Sequence, residues 1–185
     1  MDGRRMVTAL INSIPNNQST PQISNPLRDL PQESRNIFLT LYSLFERELL
    51  PALDLLDRNL VTRLKTPDTC KLYLVRSAQP QTSRNQQRYE HINCYEVRLN
   101  AWSCSCPAFT FSAFPATEAP APPRSVDINA EAWTFGGLTL GSDMPVCKHL
   151  IACVLVENCQ MFSHLVEEKE ITKEEMAGWA AGWGD

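Results

Sequence analysis

A chain of 185 residues, 43% of them hydrophobic, is long enough for one domain with its own core, and a net charge of −4 excludes a molecule that grips nucleic acid through bulk positive charge. No apolar run approaches the roughly 20 residues of a membrane-spanning helix, and the apolar stretch near Met1 is too short for a secretory signal, so no membrane partner is expected. Seven cysteines, an odd number, suit a reducing compartment and a metal site better than a disulfide framework.

Residues 1–30 are polar and proline-containing and read as a flexible N-terminal segment. Within it, Met6–Ile14 is expected to form a short helix that docks on the core or on a partner. Residues 31–160 read as an α+β domain. Ile37, Phe38, Leu41, Leu44, Phe45 and Leu49 recur at helical spacing, which predicts an amphipathic helix over 32–49 with Pro31 suited to its first turn. Pro51 breaks or restarts that helix, and Leu53, Leu56 and Leu60 carry a second apolar stripe. Both stripes are expected to face the core.

Strand signals follow. Asn59–Leu64 and Lys71–Arg76 are rich in β-formers, with a turn at 66–69 between them and a polar loop over 78–88. His91–Trp102 is a third strand, in which Tyr95, Val97 and Leu99 alternate with Glu96, Arg98 and Asn100. The three predict a small antiparallel meander. Cys106–Phe114 should make one or two helical turns with Pro107 at the start. Its phenylalanines either stack on bases or cover the following helix. Packing is the favoured reading for Phe109 and Phe111. Prolines and glycines mark 115–145 as a loop insertion that Trp133 and Phe135 anchor. The nearly all-apolar run to Asn158 is a buried helix, with Ala152 small enough for close approach. Residues 161–185 form an acidic helical tail: a helix over 163–171, then a last short helix opened by the capping box Thr172–Glu175. Trp179 and Trp183 either fold back onto the core or anchor a partner.

The chemistry lies in two close pairs, Cys104-Ser-Cys106 and Cys147-Lys-His149. Three thiolates and one imidazole satisfy a tetrahedral structural zinc ion and leave no open position for a catalytic water. The first pair follows a strand that Pro107 ends, and the second opens a helix whose positive end favours a thiolate. The gap of about forty residues costs little, because loop-closure entropy grows only with the logarithm of length. Cys153, four residues after His149, is the one competing ligand, and Cys147 is preferred because its spacing mirrors the first pair. Cys70, Cys94, Cys153 and Cys159 read as small core residues. His91 and His164, with no cysteine partner nearby, read as surface or satisfied histidines.

Cys-x-Cys, a long gap and Cys-x-His-x-x-Ala, here Cys104, Cys106, Cys147, His149 and Ala152, resembles the SWIM-type zinc finger, spanning about 93–158. With Ala52-Leu-Asp-Leu-Leu-Asp-Arg58 and Trp102-Ser-Cys-Ser-Cys-Pro-Ala-Phe-Thr-Phe-Ser-Ala-Phe114, the chain resembles the SWIM-domain subunit of the Shu complex over residues 33–160, and the long insertion resembles a fungal member. That resemblance implies a nuclear role in homologous recombination, beside a paralogue of the RecA-like recombinase in a heterodimer or larger complex, with single-stranded DNA reached through the complex.

No phosphate-binding loop and no deaminase-type His-x-Glu is present, so no enzyme is expected. Residues 58–98 hold eight basic side chains against three acidic, and 157–185 hold seven acidic against two basic. These read as solvated strand edges and a solvated helix, or as a basic half facing phosphates or an acidic partner. Arg76, Arg84, Arg88 and Arg98, with Trp179 and Trp183, are the candidate DNA or partner contacts. The alternative to an adaptor is a finger that binds single-stranded or double-stranded DNA directly.

Overall fold

The computed structural model describes residues 3–15, 26–28, 30–68, 70–77, 94–114, 133–139 and 144–183. Among them the chain forms α1 (Gly3–Asn12), α2 (Gln32–Leu44), α3 (Leu49–Asp57), β1 (Val61–Lys65), β2 (Lys71–Arg76), β3 (Cys94–Arg98) and β4 (Ser103–Cys104). There follow α4 (Pro107–Ala113), α5 (Lys148–Asn158), a 3-10 turn (Gln160–Leu165), β5 (Val166–Glu170) and α6 (Lys173–Ala180). This is the expected α+β class. The five strands lie in the order β4-β3-β2-β1-β5; the first four make an antiparallel meander and β5 runs parallel to β1.

Helix α5 is apolar all round, and a helix of that kind must be enclosed. Every residue from His149 to Val156 is buried. α1 and α3 contact it, and so do β3 and β4. Burying one Leu, Ile or Val contributes about 1.5–3 kcal/mol, so this run carries a large share of the core energy. The single helix expected over 32–49 ends at Leu44 and restarts at Leu49. Pro51 then falls on the third residue of α3, where its missing N–H has no carbonyl to lose.

Alternation along the strands gives the sheet two apolar faces. Val61, Val75 and Val97 point toward the helices, while Leu64 and Leu72 point away and join Ile171 and Met176 in a separate cluster. α6 supplies the cover, opened by Thr172 and Glu175 as a capping box and closed at Gly182. Gly182 has φ +78°, Trp183 N–H donates to Gly178 O at 2.8 Å, and Gly182 N–H donates to Trp179 O at 3.1 Å, the bonding of a Schellman stop.

The helix expected over 163–171 is instead a 3-10 turn followed by β5. Glu167 to Glu170 suit a helix by propensity, but β1 offers an open edge, and tertiary pairing overrides local preference. Arg63 and Lys65 on β1 meet Glu168 on β5, the latter pair at 2.6 Å. Arg63 also reaches Glu157 at the end of α5, at 3.0 Å, and Glu157 is bonded by Lys71 and by the Tyr73 hydroxyl as well. Lys173 pairs with Asp68. The basic stretch around β1 and β2 is therefore answered by the acidic C-terminal stretch of the same chain, which neither sequence reading of the charge asymmetry anticipated.

The N-terminal helix docks on the core through Val7 and Ile11, and Ile14 just after it joins the same cluster. Arg4 donates to the carbonyls of Phe135, Gly137 and Thr139, and Thr8 Oγ1 accepts the Phe135 N–H at 3.0 Å. As expected, Trp133 and Phe135 anchor their loop. Phe135 is fully buried, with ring centroids 5.5 Å from Phe45 and 4.6 Å from Trp102. Gly137 lies over the turn between β3 and β4 with φ +49°, and a Cβ there would stand 2.4 Å from Asn100 O, so the position requires glycine.

Two outcomes are expected. Phe135→Ala should cost about 3–5 kcal/mol, read from the denaturant midpoint at unchanged slope. Glu157 loses solvation on burial, yet Lys71, Tyr73 and Arg63 hold its carboxyl below the usual carboxylate range; Glu168 is lowered by Lys65 and Arg63. A carboxylate with a depressed folded pKa stabilises above its unfolded pKa and loses that contribution as pH falls through the folded value. The stability gap between wild type and Glu157→Gln should thus be full near pH 7 and shrink below about pH 4.5 in paired melts; a gap independent of pH would contradict the network.

Candidate metal centre

Four side chains from two distant segments meet where the meander runs into α5. β3 ends at Arg98, the chain turns through Leu99 to Trp102, and β4 delivers Cys104 opposite Val97. Trp102 takes a left-handed conformation at φ +49°, unusual for a bulky residue and held by its surroundings. Its indole is buried and donates Nε1–H to Pro145 O at 2.9 Å, which fixes the approach to Cys147. Cys106 then caps α4, its Sγ accepting the Phe109 N–H at 3.3 Å, with Pro107 at the first helical position as expected. Across the site, Cys147 is the residue before α5 and His149 lies in its first turn.

The donor atoms of Cys104, Cys106, Cys147 and His149 all lie within 4.8 Å of one another, and all four residues are buried. His149 Nδ1 is 3.7 Å from Cys104 Sγ and 4.0 Å from Cys147 Sγ. A tetrahedral ion at about 2.3 Å from sulfur and about 2.0 Å from nitrogen sets S···N edges near 3.6 Å, so the quartet is close to the size of a closed metal site. Nδ1 is the nitrogen that faces the thiols. Nε2 is buried with no hydrogen-bond partner among the described residues, and the Tyr95 ring stacks on the imidazole at a centroid distance of 4.7 Å.

Three thiols packed this tightly cannot all ionise without a cation. Hydrogen bonds from Cys104 and then Cys147 push the Cys106 thiol far down and make it the preferred thiolate. Cys104 is driven far up by its bonds to Cys106 and Cys147. Cys147 is drawn down by its bond to Cys104, but its bond to Cys106 and burial outweigh that, and it is pushed up to about 11. A divalent cation at the centre offsets this repulsion and lets all three sulfurs ionise. Cys153 is fully buried and lies outside the quartet; burial and the nearby Cys147 raise its pKa. Cys159 is likewise a core residue, but Cys70 is exposed and Cys94 half-buried, contrary to expectation. His164 is exposed, and His91 lies outside the described residues.

The other candidate residues are less gathered. Arg76 and Arg98 share the sheet face of the Leu64–Leu72 cluster, but the β2–β3 register separates them by four strand positions, about 13 Å. Arg76 donates to Asn59 O at 3.2 Å and Arg98 pairs with Glu96 at 3.2 Å. Arg84 and Arg88 lie outside the described residues. Trp179 folds back onto the second cluster, whereas Trp183 is 81% exposed. Phe109 is buried as expected, but Phe111, also expected to pack, is 79% exposed; Phe114, the residue after α4, is 78% exposed. Tyr95 was legible only as a strand residue; no local signal ties it to a histidine 54 positions later.

No family model matches the chain. It is 26% identical over 154 residues to mouse zinc finger SWIM domain-containing protein 7, which covers 82% of this chain and 76% of that protein. It is 28% identical over 148 residues to the human protein of the same name, covering 76% and 78% respectively. With the four-donor cluster, this similarity supports a SWIM-type zinc-finger protein with one metal-binding site.

Proposed function

We propose that the chain is a non-catalytic, zinc-holding adaptor: the SWIM subunit of a Shu-type complex in the nucleus, paired with a RecA-like recombinase paralogue. The observation that carries the reading is the closed quartet. Cys104, Cys106, Cys147 and His149 are buried and fill all four positions of a tetrahedral ion, so the ion serves to join two segments. The wider resemblance over residues 33–160, including the long loop that suggests a fungal member, supports the recombination role. In that role the pair prefers recombinase assembled on single-stranded DNA, and so shifts the equilibrium toward the filament.

A second reading, direct contact with DNA, is favoured by Phe111 and Phe114. Two phenylalanines left in solvent, Phe111 on α4 and Phe114 just after it, suit stacking on unpaired bases, with Arg76 and Arg98 on phosphates.

Two measurements test these readings. The purified protein should hold one equivalent of zinc with three sulfur and one nitrogen neighbours in its absorption edge. Cys147→Ser with His149→Ala should lose the zinc, unfold the knuckle and fail to co-purify with the paralogue, since roughly 10–16 kcal/mol of binding energy is then missing from folding. A metal-free double variant that kept its partner at wild-type yield would overturn the adaptor reading. For direct DNA contact, affinity for single strands should fall steeply with salt, with a slope shallower by about 0.7 in Arg98→Ala and lower affinity in Phe111→Ala; isolated protein that binds no strand at low salt removes that reading.

A further inference from the structure

The stretch Ala52–Arg58 carries part of the family resemblance, yet it supplies no donor to the metal. Only part of it is needed by the core: Ala52, Leu55 and Leu56 are buried, whereas Asp54 and Asp57 are exposed and Leu53 is half-buried. On that outer side the structure holds a cleft of about 220 Å³ between α3 and the 3-10 turn, closed at one end by the turn at 26–28. Its lining runs from the buried Leu56, Phe162 and Leu165, through half-buried Leu53, to the exposed Asp54 and Asp57 at its rim.

We propose that this cleft seats a segment of a partner protein that presents one large apolar side chain and a lysine or arginine within a helical turn of it. Cofactor and metabolite sites run to roughly 300–1,000 Å³, so this cleft suits a single anchoring side chain better than a small molecule. Its apolar floor rewards burial of that anchor. Its rim selects the charge. Among the described residues Asp57 makes no ion pair, and Asp54 holds only Arg58, at 3.5 Å with both side chains about half exposed, a weak contact that an incoming cation can replace. The chain's own residues 16–25 carry no charged side chain, and Arg28, exposed beside Leu27 in the turn that closes the cleft, forms no ion pair with either aspartate among the described residues, so the two carboxylates keep their capacity for an incoming cation. The inference does not depend on the partner being a recombinase paralogue, nor on DNA contact at α4.

The test pans full-length, zinc-loaded protein against a displayed library of random peptides. Enriched sequences should combine Leu, Ile, Phe or Trp with Lys or Arg within one turn. Their affinity should fall about tenfold or more for Asp54→Lys with Asp57→Lys, and by less for the milder Asp57→Asn, at unchanged zinc content and circular dichroism. Replacing the peptide's basic residue by Glu should restore binding to the lysine variant. Absence of enrichment, enriched peptides without a basic residue, or equal binding to wild type and to Asp57→Asn would each overturn the proposal. The paralogue itself separates the two readings. Failure of peptide enrichment by a protein that still captures the paralogue sinks the cleft alone, and peptide binding by a protein that never captures the paralogue sinks the recombination role alone.

Discussion

Four donor atoms, brought together from positions 45 residues apart, set the geometry of this molecule. Cys104 and Cys106 leave the sheet, Cys147 and His149 enter the central helix, and their sulfur and nitrogen atoms crowd within 4.8 Å. Without a cation the crowding is costly: hydrogen bonds among the three thiols push Cys104 and Cys147 up and Cys106 down, so they resist ionising together. A divalent ion at the centre would relieve that repulsion. Around it lie Trp102, Tyr95 and Phe109, three large rings that exclude water from the donors.

Much of this was legible because it is local. The spacing of the cysteine pairs, the proline after Cys106, the capping box at Thr172 and the apolar run after His149 each encode their own conformation within a few residues. What the sequence hid depends on partners far along the chain. Glu168 looks helical until Arg63 and Lys65 are placed beside it. Phe135 sits in a stretch of prolines and glycines, yet it is one of the most buried rings, because Arg4 and Thr8 hold its loop from 127 or more positions away. Phe111 looked like cover for the zinc helix, but only Phe109 faces inward from so short a helix.

The charge asymmetry shows how composition misleads. A basic stretch over 58–98 and an acidic end suggest an outward field, but part of it is spent within the fold. Arg63 is buried and shared between Glu157 and Glu168, and Lys65 and Lys71 pair with the same two glutamates. Breaking one side of such a network leaves its partner charge under-solvated, which is why these residues hold the sheet to the helix layer.

Helix α5 is fastened at both ends by different chemistry. His149 meets the thiols at its start, and Glu157 meets Arg63, Lys71 and Tyr73 at its finish. Eight residues of helix, about 12 Å, separate the two. Removal of a metal from the quartet would act on the first fastening and not on the second, so α5 would be expected to stay tethered to β1 and β2 while the Cys104–Phe114 corner is released. Such a half-open form presents the oily flank of α5 to solvent, and metal starvation would then show itself as clumping rather than as simple loss of fold.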